Sequence, residues 1–167
     1  LKDYFEIASD IIFKNNGVLD KFIGDGVMAI FGALNGRDSE GIEDATFAAC
    51  AALELKVEFK KLLANWVETW KLYSAQTIDI GLGCGLHTGE CLVGNAGTEI
   101  RDQFTALGAE VNLGARIEAR SIKEQILISS STHKRLLGKF TFEDKGIISD
   151  IKNIPGDFPI YEIISKV

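Results

Sequence analysis

"NNGVLDKFIGDGVMAIFGA" (residues 15–33) is a pair of apolar runs on either side of a glycine-rich turn. Lys21 sits in the middle of the first run. Gly24-Asp25-Gly26 separates the two, and Asp-Gly is a strong hairpin signal because both residues tolerate the positive φ of a tight turn. On this stretch alone Asp25 is either a turn-former or a carboxylate that the turn holds up. Upstream, "LKDYFEIASDIIFKNNG" places Leu1, Tyr4, Phe5, Ala8, Ile11 and Ile12 at helical spacing, with no N-cap before them. Asn16-Gly17 stops that helix.

Downstream, the polar turn "NGRDSEG" (35–41) leads into a helix expected over 41–66. Its apolar side carries Ile42, Ala45, Ala48, Ala49, Ala52, Leu53 and Leu63. "TIDIGLGCGLHTGECLVGNAG" reads as two strands joined near Gly89, its glycines marking close backbone approach. "DQFTALGAEVNLGARIEARS" starts extended and turns helical near Gly108. "QILISS" is a short buried strand, "STHKRLL" a capped helix, and "FTFEDKG" and "FPIYEII" are late strands. Runs of strands between helices predict an α+β fold. Helix, two strands, helix and strand are what remains of a ferredoxin-like βαββαβ unit lacking its first strand.

A chain of 167 residues is one domain with a single core. The net charge of -6, with no basic cluster, excludes a general nucleic-acid binder. Cys50, Cys84 and Cys91 show no C-x-x-C spacing and read as buried thiols of a reducing, cytosolic compartment. No signal-peptide pattern is expected in these residues, and no apolar run among them reaches the ~20 residues of a membrane helix, which leaves room for a membrane anchor elsewhere in a longer protein.

Common nucleotide and metal motifs fail. Gly89 and Gly94 have phosphate-loop spacing, but Asn95-Ala96 stands where Lys-Ser/Thr is required. His87 and His133 lack zinc-spaced cysteines, and His87 reads as a hydrogen-bonded structural residue rather than a catalytic one. Asn112 and Arg116, four apart, project from one helix face as an amide and a guanidinium fork suited to phosphate oxygens. A solvated Arg near an ordinary helix start is the plainer account of that pair, as a surface lysine is of Lys152.

Four blocks together are more specific: "LDKFIGDGVMAIFG", "GCGLHTGECLVGNAG", "RDQFTALGAEVNLGARIE" and "DIKNIPGDFPIYE". In order and spacing, across essentially the whole chain, they resemble the class III nucleotidyl cyclase catalytic domain, of the adenylate cyclase type. The resemblance implies intramolecular attack of a nucleotide 3′-hydroxyl on its own α-phosphate, assisted by two divalent metal ions (Mg²⁺ or Mn²⁺). It implies that Asp25 is one of two metal-binding aspartates, Asn112 the ribose-orienting amide and Arg116 the group stabilising charge on the α-phosphate. Lys152 would grip the triphosphate, while Lys21 and Thr105 would read the base and favour ATP over GTP. It also implies a head-to-tail homodimer with sites between subunits, and regulatory or sensor domains in a longer parent protein. The other metal aspartate of such domains lies on a strand ahead of the first helix. This sequence opens within that helix, where Asp3 and Asp10 cannot take the role, so an N-terminally incomplete single domain (1–167) is expected. The rival expectation is a catalytically inactive homology domain used for dimerisation or nucleotide sensing. Smaller departures are Ala109, where an acidic or amide residue is common, and Gly114 for a more usual alanine.

Overall fold

The computed structural model describes residues 1–33, 40–98, 101–149 and 154–167. The elements run α1 (Lys2–Lys14), β1 (Gly17–Ile23), β2 (Gly26–Phe31), α2 (Ile42–Lys71), β3 (Cys84–Leu86), β4 (Leu92–Thr98), β5 (Arg101–Leu107), α3 (Ala109–Glu118), β6 (Ile126–Ser129), α4 (Ser130–Leu136), β7 (Phe140–Ile148) and β8 (Phe158–Lys166). The class is α+β, as the alternation of helices and strand runs predicts. Among the described residues the strands pair as β1-β2, β3-β6-β8-β7 and β4-β5.

The shortest central strand explains where the core lies. All four residues of β6 are buried. Because side chains alternate across a strand, Ile126 and Ile128 pack with Ala45, Ala49 and Ala52 of α2 and with Leu136 of α4, while Leu127 turns to Leu113 and Ile117 of α3. The sheet is thus covered on both faces, and the continuous apolar run "ILI" is what such a strand needs. The small alanines of α2 let that helix approach the sheet closely. Farther along α2, Phe59 and Leu62 meet Tyr4 and Ala8 of α1. The Tyr4 and Phe59 rings stand edge to face, 5.7 Å apart.

Several expectations need correction. β3 and β4 do not form a hairpin at Gly89. β3 pairs in parallel with β6, and β4 pairs antiparallel with β5. A parallel partner requires a crossover, and α3 provides it, so β4 and β5 leave the central sheet as a separate ribbon. The β1–β2 turn lies within the expected Gly24-Asp25-Gly26, but its loop is Gly24-Asp25 rather than Asp-Gly: Ile23 pairs with Gly26, and Gly24 takes the positive φ (62°) while Asp25 does not. A glycine first in a two-residue loop is the chemistry of a II′ turn. Helix α2 extends to Lys71, past the expected end at 66. Cys91 is exposed rather than buried, and all three thiols are free. Most of the expected polar turn at 35–41 lies outside the described residues.

Candidate functional site

The β1–β2 pairing slips between Leu19 and Lys21, whose partners, Ala29 and Met28, are adjacent. Asp20 is therefore the extra residue of a β-bulge. In a regular strand Asp20 and Lys21 would face opposite ways; a bulge re-aims them. Both reach one atom of β5. The Lys21 ammonium donates to Thr105 Oγ1 at 2.9 Å, and the same hydroxyl donates to Asp20 Oδ2 at 2.8 Å. The Asp20 carboxylate is fully buried and is satisfied by several donors. Besides Thr105, it accepts from the Ala106 N–H at 3.2 Å and from Gln103 Nε2 at 3.3 Å, with the Lys21 ammonium 3.4 Å away. A buried carboxylate without such a set would carry a large desolvation cost. Lys21 remains about one-third exposed, so part of its donor capacity faces outward.

From Thr105 the chain runs through Leu107 to Gly108, whose φ of 147° precedes the start of α3. Leu113 and Ile117 bury one side of this helix, and Asn112 and Arg116 stand on its exposed side, one turn apart. Neither makes a hydrogen bond or ion pair with the described residues, so both are available to an anionic ligand. Helix α3 is held at its start by His87, just past β3. One His87 nitrogen meets Ser129 Oγ at 2.8 Å, and the other is bonded to the Glu110 carboxylate. Ser129 also caps α4 by accepting from the Thr132 N–H. His87 is thus the hydrogen-bonded structural residue its sequence context indicates, tying α3 to the end of β6. Near the end of α3, Gly85 of β3 lies directly beneath Glu118: a β-carbon there would be 2.6 Å from Glu118 Cβ, with the Glu118 backbone nearer still.

Asp25 is exposed at the tip of the β1–β2 turn. Its charge reaches Tyr4, whose phenol is pushed up to about 12 mainly by burial, with Cys84 and Asp25 adding to the effect. Among the described residues no hydrogen bond or ion pair joins Asp25 to Lys21, Thr105, Asn112 or Arg116. Nor does any group of three or more His, Cys, Asp or Glu side chains among them have the geometry to hold a metal ion. Asp25 alone is one hard-oxygen ligand, short of a complete site for a cation that takes about six. Lys152 lies outside the described residues.

The structure therefore joins Lys21 to Thr105, sets Asn112 and Arg116 one turn apart on α3, and leaves Asp25 exposed without a described bond to any of them. Sequence reasoning missed Asp20, Gln103 and Glu110. Asp20 carried a usable signal, a carboxylate beside Lys21 in a strand apolar on either side of that pair, which demands partners. No helix of the described residues is long and apolar enough to cross a membrane.

Residues 1–161 match the model of the adenylate and guanylate cyclase catalytic domain. The fold superposes on the crystal structure of the adenylyl cyclase CyaB from P. aeruginosa with a TM-score of 0.86 and 30% identity, covering 98% of this chain and 80% of that one. The guanylyl cyclase Cya2 gives a TM-score of 0.80 and 28% identity, over 100% of this chain and 79% of that one. Adenylate cyclase 1 of Rhizobium meliloti is 27% identical over 100% of this chain, which spans 24% of the relative's length. The terminal-differentiation-specific adenylate cyclase of Dictyostelium discoideum is 34% identical over 79% of this chain, or 6% of that relative. The chain thus spans a quarter or less of these curated relatives.

Proposed function

The chain belongs to the adenylate and guanylate cyclase catalytic domains, and from that premise we propose that it converts ATP to 3′,5′-cyclic AMP and pyrophosphate at the interface of a homodimer. The 3′-oxygen forms a bond to the α-phosphorus, and the oxygen bridging to the β-phosphate leaves with pyrophosphate. The observation that carries the choice of ATP is the hydrogen bond from Lys21 to Thr105. An ammonium donates to the adenine ring nitrogen, and a threonine oxygen accepts from the 6-amino group. Guanine presents a ring N–H and a carbonyl there, which would leave buried groups mismatched.

Arg116 offers a planar fork to charge developing on the α-phosphate, and Asn112, one turn away, orients the ribose. A preorganised donor of this kind is worth ~3 kcal/mol of barrier, or a hundredfold or more in rate. Lys152 is assigned to the triphosphate. Divalent metal ions, Mg²⁺ or Mn²⁺, are part of this reading, with Asp25 contributing one carboxylate ligand. Solvent exposure of Asn112, Arg116 and Asp25 supports sites shared between two chains. So do the exposed apolar side chains on both faces of the β4–β5 ribbon, Leu92 beside Leu107 on one and Val93 with Phe104 on the other, since exposed apolar surface of this kind marks contact with a partner. Regulatory or sensor domains of a longer parent protein would set the timing.

The test is incubation of the purified protein with ATP or GTP and Mg²⁺ or Mn²⁺, with chromatographic detection of cyclic nucleotides. Cyclic AMP as the main product supports the proposal, and a preference for cyclic GMP sinks the adenine assignment. Nucleotide binding and dimer formation without either product would identify a non-catalytic homology domain.

A further inference from the structure

Asp20 lies outside the set of residues that would touch the nucleotide, yet its geometry decides what Thr105 can do. A threonine hydroxyl has one proton to give and two lone pairs to offer. Which role it presents to a ligand depends on what its neighbours have already claimed. Here the neighbours have fixed roles: a carboxylate only accepts and an ammonium only donates. The contact of Thr105 Oγ1 with Asp20 Oδ2 at 2.8 Å therefore commits the threonine proton to Asp20, and the contact with Lys21 at 2.9 Å occupies one lone pair. The other possible acceptor, the Ala106 carbonyl, is 3.4 Å away and uncharged, and loses to the shorter charge-assisted bond. Asp20 is itself immobilised by the Ala106 N–H and Gln103, and its side chain is sealed from water.

We infer that Asp20 is a specificity-determining positioning residue, locking the Thr105 hydroxyl as a pure hydrogen-bond acceptor toward the base. This rests on the proposed adenylate cyclase reading and deepens it. One lone pair is left for the ligand, and no proton. Such an oxygen welcomes an exocyclic amino group and opposes a carbonyl oxygen. An unconstrained threonine hydroxyl would rotate and donate to the carbonyl of guanine, so threonine alone discriminates poorly. The bulge is part of the device, because it lets consecutive residues, Asp20 and Lys21, act on the same atom.

The experiment compares wild type, Asp20→Ser, Thr105→Val and the double variant, reading the ratio of kcat/KM for ATP to that for GTP. The ratio of dissociation constants for the two nucleotides is measured on the same preparations, with folding followed by circular dichroism. Asp20→Ser, whose side chain is too short to reach Thr105 and so leaves its proton unclaimed, should lower the ATP preference by roughly tenfold, the scale of one mispaired buried hydrogen bond. It should have no further effect on that ratio in the Thr105→Val background, where there is no hydroxyl to orient. Asp20→Ala carries the same expectation should the serine variant fail to fold. A wild-type ratio at or below one overturns the adenine reading and this inference with it. A wild-type ATP preference that survives Asp20→Ser, or that falls equally with and without the Thr105 hydroxyl, overturns the inference alone.

Discussion

Two glycines at the contact between α3 and the segment around β3 should respond to the same substitution with opposite signs. At Gly85 an added β-carbon would lie 2.6 Å from Glu118 Cβ, with Glu118 backbone atoms closer. Ordinary carbon contacts are about 3.5–4 Å, so the end of α3 must retreat by roughly 1 Å, and a backbone obstacle cannot swing aside as a flexible side chain could. Overpacking of this kind costs about 1–3 kcal/mol. Arg116 is only two residues before Glu118, and a 1 Å misplacement of a catalytic group can cost about a hundredfold in rate. At Gly114 the added β-carbon would meet His87 Cβ at 3.6 Å, an ordinary contact. An alanine inside a helix is favoured over glycine by about 0.5–1 kcal/mol, so Gly114→Ala should stabilise. The assay is urea unfolding of both variants followed by circular dichroism, with cyclic AMP formation measured on the same samples. If Gly85→Ala matches wild type in midpoint and turnover, α3 does not lie on β3 at this distance and the account of how Arg116 is placed fails. If Gly114→Ala destabilises, its contact with His87 is tighter than described.

Ile128→Ala, in a position fully shielded from solvent, should cost about 2–5 kcal/mol in urea unfolding through the cavity it leaves between β6 and α2. Arg116→Ala and Asp25→Ala should each abolish most cyclic AMP formation. Mixed in equal amounts they should recover about a quarter of wild-type activity, since half of the dimers then hold one intact site of two. No recovery with exchange of subunits proven would refute sites shared between chains. Glu54 titrates below the usual carboxylate range, chiefly through its hydrogen bond from Lys14. A depressed folded pKa gives stability that is present above the ordinary value near 4.5 and is lost as pH falls through the lower, folded value. Glu54→Gln should therefore flatten the acid side of a stability–pH curve and leave its slope at neutral pH unchanged.

Local signals were read well where the physics is local. The amphipathic spacing of α1, the buried run of β6 and the serine cap of α4 are written in consecutive residues. The β3–β6 pairing is not, because a parallel partner more than 40 residues away leaves no mark near Gly89. The turn falls at Gly24-Asp25, within the expected Gly24-Asp25-Gly26, but Gly-Asp-Gly offers two glycines and only the backbone φ shows that Gly24, not the Asp-Gly pair, takes the left-handed position. Lys21 and Thr105 are 84 residues apart, and nothing in either neighbourhood pairs them; only the family resemblance did. Asp20 escaped even that. Regular alternation would point it away from Lys21, and a bulge has no dependable sequence signature.

The contrast between Asp20 and Arg116 shows how the domain divides its polar groups. Asp20 is sealed from water and surrounded by donors, so its orientation is fixed before any ligand arrives. Arg116, Asn112 and Asp25 stand in solvent, where an unpaired charge costs little because water screens it. Their electrostatic strength in a reaction would come only when a covering surface removes that water and lowers the local dielectric. Among the described residues nothing covers the exposed side of α3, while β4 and β5 carry exposed apolar residues that need covering themselves. On the proposed reading a second copy would meet both needs at once, burying the ribbon and dehydrating the charged groups. Base selection would then be set within one chain, by Asp20, Lys21 and Thr105, whereas phosphate chemistry would wait for two. The two functions should separate experimentally, and mixing Arg116→Ala with Asp25→Ala is the measurement that separates them, because neither variant disturbs the buried Asp20–Thr105 pair.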